Sequence, residues 1–176
     1  SMLGPAAVTT NLAELGADVI KVEAPGGDYG RQMTWPIVEE TSLLFLHCNR
    51  GKRSIVLDLR TDEGVQTFKD LVADADVVVE AMRPGALARR GLGYEDLKAI
   101  NPKIVFMTIS GYGMTGPYRD LPSHGIAYDT WAGIVEPAYD EEGYCYIPQH
   151  ISIGINAGPM FGALGILAGI IKARST

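Results

Sequence analysis

Little in this sequence suits a metal centre or a disulfide framework. Cysteine occurs twice in 176 residues, as Cys48 and Cys145. The two stand far apart, in no zinc-holding spacing, and read as free thiols of a cytoplasmic protein. Positive charge is also short: 15 Lys and Arg against 21 Asp and Glu leave a net charge of -6 and a pI of about 5.0. A nucleic-acid binder carries a basic face, so that class is disfavoured; a small anionic ligand needs only a local basic pocket. The longest apolar run, "MFGALGILAGII" (160–171), is too short to cross a bilayer, and no signal-peptide pattern is present. Ser1 reads as a leftover of cloning. No repeat or low-complexity segment occurs.

The glycine patterns of nucleotide sites are missing as well. Gly4 opens a helical stretch, and a strand follows that ends at Glu23. A dinucleotide unit uses such an acid to hold a ribose, but the other glycines of its loop are absent here, which disfavours NAD. "PGGDYGR" (25–31) has no Gly-Lys-Ser/Thr after it and is not a Walker loop.

What is present is a core. With 47% hydrophobic and 20% charged residues, the chain can fold as one domain or as one large piece of a bigger one. Strand-like runs fall at 18–23, 53–59, 76–81 and 103–110. Helical ones fall at 5–15, 61–75 (capped by Thr61, with Asp62 and Glu63 at its positive end), 85–90 and 94–100. This alternation predicts an α/β fold, a mostly parallel sheet with helices on both faces. After residue 110 comes a Gly/Pro-rich loop, "GYGMTGPYRDLPSHG", and then apolar helices near 125–135 and 157–172. Eight of the 15 basic residues lie in 50–90, with seven acids among them. Composition alone makes that a mixed solvated surface. It becomes a binding site only if the side chains converge at strand ends, where open α/β sheets hold ligands.

Several stretches together carry a family signature: "LGADVIKVEAPGGD", "NRGKRSIVLDLRTDEG", "DVVVEAMRPGALARRGLGYEDLKAINPKIVFMTISGYGMTGPY" and "GILAGI". Over residues 2 to 172 the chain closely resembles the class III CoA-transferases, which include formyl-CoA and carnitine CoA-transferases, with α-methylacyl-CoA racemase as a relative. The resemblance implies a Rossmann-like CoA-binding domain over 2–176. It implies coenzyme A or an acyl-CoA as substrate together with a carboxylic acid, no covalently bound cofactor, no metal, and neither nucleic acid nor membrane as partner. Full-length members form interlocked homodimers. Family chains are about twice as long and begin with a strand leading into the equivalent of Gly4-Pro5. The chain therefore reads as a fragment lacking that strand and the smaller second domain, and as a fragment it is expected to be inactive.

Residue by residue, the resemblance places CoA contacts at Met2, Leu3, Leu57, Asp58, Leu59, Arg60, Ala81, Met82 and Arg89. Arg60 and Arg89 are the candidate phosphate partners, because guanidinium forks suit phosphate oxygens. A basic residue often follows the strand-ending Glu in the family; here that place is Ala24. "SHGIAY" matches the racemase motif G-H-D-I-N-Y at His124 and Tyr128, where the histidine is a general base; transferases usually have Tyr at the histidine position. The bland alternative for His124 is a helix-start residue bonded to backbone. Asp129 reads as a structural acid. Both subfamilies place an aspartate after a glycine, before the "GILA" helix. Gly154 is present, but the aspartate position falls on Ile155, or on Asn156 with a one-residue shift. Neither can form an acyl anhydride or take a proton at pH 7. Three readings follow: a CoA-transferase, a racemase-like isomerase or lyase using His124, and a non-catalytic CoA-thioester binder.

Overall fold

The computed structural model describes residues 3–35, 37–122, 124–148 and 152–176, with the side chains of Leu3 and Ile37 left aside. The elements in order are α1 (Leu3–Glu14), β1 (Ile20–Glu23), β2 (Ile37–Val38), β3 (Thr41–Ser42), α2 (Leu43–Asn49), β4 (Arg53–Val56), α3 (Asp62–Ala73), β5 (Val77–Glu80), α4 (Tyr94–Ile100), β6 (Val105–Thr108), α5 (Gly125–Trp131), β7 (Ala138–Tyr139), β8 (Cys145–Tyr146) and α6 (Ile153–Ser175).

The expected parallel strands are all present, shorter than their apolar runs. They form two pairs: β1 with β4, Ile20 opposite Arg53, and β5 with β6, Val77 opposite Val105. No ladder joins β1 to β5 among the described residues, so the expected single sheet is divided. β2/β3 and β7/β8 are short antiparallel hairpins.

Both faces of the β5/β6 pair are covered, which explains their near-continuous apolar sequence. Val78 and Phe106 pack with Val72 of α3, Leu97 of α4, Leu87 and Leu92. Val77, Val79 and Met107 point the other way, onto Val8 and Leu12 of α1 and Ala163 and Ile166 of α6. The period of two is the pleat of each strand. The β1/β4 pair is less covered: Val56 is 60% exposed.

Thr61 caps α3 as expected, its Oγ1 accepting from the Gly64 N–H at 3.1 Å. Lys52 Nζ donates to the Ala6 and Cys48 carbonyls at 2.7 and 2.9 Å, and Thr10 Oγ1 donates to the same Cys48 carbonyl. These bonds tie α1 to the end of α2. Burial and the nearby Lys21 push the Lys52 ammonium down to about 8.

α6 has 23 residues, longer at both ends than its apolar run suggested, and by length and composition alone it could cross a membrane. Its seating is that of a helix on a sheet, through Pro159, Gly162, Ala163 and Ile166. Two glycines allow the close approach. A Cβ on Gly162 would meet Val8 Cγ2 at 2.8 Å and Met107 Cε at 3.2 Å, and one on Gly169 would meet Val105 Cγ1 at 2.9 Å. The later glycine lies on the first residue of β6 and the earlier one nearer its end, so α6 runs antiparallel to β6. Its N-terminus is thereby set at the carboxyl end of that strand.

Candidate functional site

The chain segments leaving β4 and β5 meet. Leu59 packs on the core cluster that contains Leu87, and Arg90 lies close enough to lower the Asp58 carboxyl electrostatically. The first exit is rigid. Leu57 N–H extends the ladder to the Glu23 carbonyl at 2.9 Å. Asp58 takes the Arg60 fork on both oxygens, Nε at 2.8 Å and Nη2 at 2.7 Å, with the Arg60 N–H at 3.0 Å. The Arg60 side-chain and backbone bonds bring the Asp58 carboxyl down to about 2. Gly64 is pressed against this loop; a Cβ there would lie 2.1 Å from the Asp58 carbonyl oxygen.

At the second exit, Met82 N–H donates to Glu80 Oε2 at 2.6 Å, and Met82 is 42% exposed. Ala81 is half-buried beside it. The Arg89 guanidinium lies over Gly85, Nη1 3.2 Å from where a Cβ would stand. The fold thus gathers Asp58, Arg60, Ala81, Met82 and Arg89 at strand exits. Leu59 is turned into the core. Met2 lies outside the described residues, and Leu3 is placed only as the first residue of α1.

The acid that ends β1 is not available to a ribose. Glu23 is buried, and its carboxylate accepts from Arg31 Nη2 at 2.8 Å and Nε at 3.1 Å, Ser54 Oγ at 2.7 Å and the Asp28 N–H at 2.8 Å. Burial raises its pKa, but the bonds from Arg31, Ser54 and Asp28 outweigh that and bring it down to about 2. Arg31 also stacks on Phe45, 4.1 Å from the ring centroid. The sequence reading missed Arg31. The signal was the turn "PGGD", where Gly26 and Gly27 have positive φ and fold the chain back on β1.

The second group lies where α5 and α6 begin. His124 is the N-cap of α5, exposed, and its side chain makes no capping bond. Among the described residues, no bond from the His124 side chain to the backbone is present. The starts of the two helices interlock. A Cβ on Gly125 would meet Ile155 Cδ1 at 2.3 Å, and one on Gly154 would meet Asp129 Oδ1 at 3.1 Å and Tyr128 Cβ at 3.5 Å. Asp129, 1% exposed, accepts the Gly154 N–H on Oδ1 at 2.8 Å. Gly154, Ile155 and Asn156 all lie in the first turn of α6, as expected. Ile155 covers Gly125 beside His124, whereas Asn156 is exposed and its Nδ2 donates back to the Ser152 carbonyl at 2.6 Å. Pro159 lies one turn further on and has no N–H to give the Ile155 carbonyl.

Two strand exits thus meet near arginines, and α6 starts at the carboxyl end of β6. A family model described as CoA-transferase family III matches residues 1–176. The chain belongs to that family. It is 38% identical over 168 residues to the succinyl-CoA–L-malate CoA-transferase beta subunit of Chloroflexus aurantiacus, covering 95% of this chain and 42% of that protein. It is 40% identical over 176 residues to the mouse succinyl-CoA:glutarate CoA-transferase, covering 99% and 40%. A crystal structure of a hypothetical protein from Mycobacterium tuberculosis superposes with a TM-score of 0.85 at 35% identity, over 97% of this chain and 47% of that one. The chain spans about two fifths of the length of the curated relatives it matches.

Proposed function

We infer that the protein acts on CoA thioesters, and that its reaction is the transfer of CoA between two carboxylic acids. The observation that carries this is the meeting of the β4 and β5 exits, with Arg60 and Arg89 on them, in a member of CoA-transferase family III. Both named relatives are CoA-transferases. Arg60 and Arg89 would hold CoA phosphates, Arg60 through the guanidinium N–H groups that its bonds to Asp58 leave over. Ala81 and Met82 would contact the cofactor body. Met2 and Leu3 would complete the contact. The whole protein would work as a homodimer in the cytoplasm.

Ile155 favours a second reading. Transfer through an acyl anhydride needs a carboxylate nucleophile, and an alkyl side chain cannot serve as one. A chain with Ile155 over Gly125 and an exposed His124 that makes no capping bond suits either single-base chemistry at the thioester α-carbon or binding without turnover.

One experiment separates these. The whole protein is incubated with acyl-CoAs in deuterated water, with and without acceptor acids, and compared with the Arg60→Ala/Arg89→Ala variant. CoA exchange between acids marks the transferase, α-carbon label without exchange marks the single-base enzyme, and binding with neither marks the binder. CoA affinity by calorimetry is expected to fall in the double variant, since bonds to charged groups contribute about 1.5–3 kcal/mol each. Equal affinity removes both arginines from the site.

A further inference from the structure

α6 has two apolar faces, and the fold covers one. Pro159, Gly162, Ala163 and Ile166 are buried, seated on β5, β6 and α1. On the opposite face Met160 is 63% exposed, Phe161 73%, Leu164 61% and Ile171 70%, and Ile153 and Leu167 are open beside them. One exposed apolar side chain is ordinary; a row of six along one helix is not. Together they leave on the order of 600 Å² open, as much as the largest patch on a typical monomer.

The spacing decides what fits. Ile153, Ala157, Met160, Leu164, Leu167 and Ile171 alternate by four and three residues. That is the repeat, about every 3.5 residues, of a helix whose seam faces another helix. Charges flanking such a seam select a different partner, but α6 holds no acid, and its bases, Lys172 and Arg174, both lie in the last turn. The same bare flanks disfavour a lipid surface, as does the net charge of -6, since anionic leaflets attract basic segments.

The row does match itself. Turned antiparallel about its middle, Met160 meets Leu164, Ala157 meets Leu167 and Ile153 meets Ile171, and the two helix dipoles oppose each other. Arg174 is drawn to Asp76 at 3.3 Å, away from the seam. Two copies would bury on the order of 1,200 Å², the size at which specific interfaces begin. We propose that the outer face of α6 is a dimer seam, packed antiparallel on α6 of a second copy of this chain. This rests on the homodimer reading above and gives it a surface. Each copy's first turn of α6, with Gly154 and Ile155, then stands beside the other's last turn.

The test uses sedimentation and cross-linking of the whole protein. Wild type is expected to sediment as a dimer, and Leu164→Glu/Leu167→Glu as a monomer at the same concentration with an unchanged circular dichroism spectrum. Met160→Cys and Leu164→Cys chains, mixed under mild oxidation, are expected to join through a disulfide between those two positions. Peptide mass spectrometry distinguishes it from any bond to Cys48 or Cys145. A folded glutamate variant that stays dimeric, or absence of the 160–164 cross-link, overturns the seam while leaving the homodimer standing. If the glutamate variant does not fold, the cross-link alone decides. A monomeric wild type that sediments with phosphatidylserine vesicles makes the face a lipid surface, and a wild type monomeric in every condition ends the homodimer reading; both overturn the seam.

Discussion

Ile155 rests directly on Gly125. The space for a Cβ at 125 is filled by the isoleucine, whose Cδ1 and Cγ1 would lie 2.3 and 2.7 Å from it. Ile155 is thus a packing element at the start of α5, set against the residue that follows His124.

Gly125→Ala is expected to lower stability by roughly 1–3 kcal/mol, the usual cost of overpacking. Shortening Ile155 to Ala in the same chain should return part of that loss. A double-mutant cycle from denaturant melts checks it; strictly additive effects would show that the two side chains do not meet.

Asp129 holds the start of α6 through the Gly154 N–H. Asp129→Ala removes a buried charge-assisted bond and should cost on the order of 2 kcal/mol. Asp129→Asn keeps an oxygen acceptor and should avoid much of that loss. The Gly154 amide, followed by hydrogen exchange, should lose protection in the alanine variant and keep most of it in the asparagine one. Equal protection in both would show that another group holds this N–H.

Glu23 gives a pH dependence with a definite sign. Its carboxyl titrates at about 2 in the folded chain against an ordinary value of 4.5. The folded state therefore binds fewer protons than the unfolded one between these values. The stabilisation is complete above about 4.5 and disappears as pH falls towards 2. Allowing for solvent at the half-exposed Arg31, it amounts to on the order of 2–3 kcal/mol. Stability curves of wild type and Glu23→Gln should converge across that window. Parallel curves would mean that Glu23 is not the group responsible.

Hydroxylamine trapping tests the chemistry left to Ile155. Wild-type whole protein turning over with acyl-CoA should give no hydroxamate on peptides containing residues 154–156, since no carboxylate stands there. An adduct on those residues would refute the assignment of the position. Ile155→Asp also fits beside Gly125 by size, and it supplies the group an acyl anhydride requires.

Much of the framework was legible from local pattern. Alternating strands and helices and the Thr61 cap follow from short-range chemistry, and the place of Gly154 at a helix start was implied by the family resemblance. What was not legible depends on residues distant in the chain. The start of α6 was expected near 157, where the apolar run begins. The structure begins it at Ile153, helped by Asp129 from another helix. "LLFLHCN" gave no periodic signal in seven residues, yet it forms α2 because Ser42 caps it at the Phe45 N–H, 3.1 Å away. Glu23 looked open to a ribose because Arg31 lies across a turn whose path only the backbone reveals. Likewise Leu59 sits in a strand-exit motif but is drawn into the core by Leu87 and Leu92.

The glycine seats of α6 make the helix a gauge bar. With no room for a methyl group at Gly162 against Val8 or at Gly169 against Val105, α6 has one axial setting relative to α1 and β6. That setting fixes where Gly154 and Ile155 stand, about 12 Å and 22 Å away along the axis at 1.5 Å per residue. A substitution at either seat would be read at the far end of the helix as a displaced first turn, with none of the groups there altered. Tolerance to mutation along this chain should therefore follow helix register rather than distance from the chemistry.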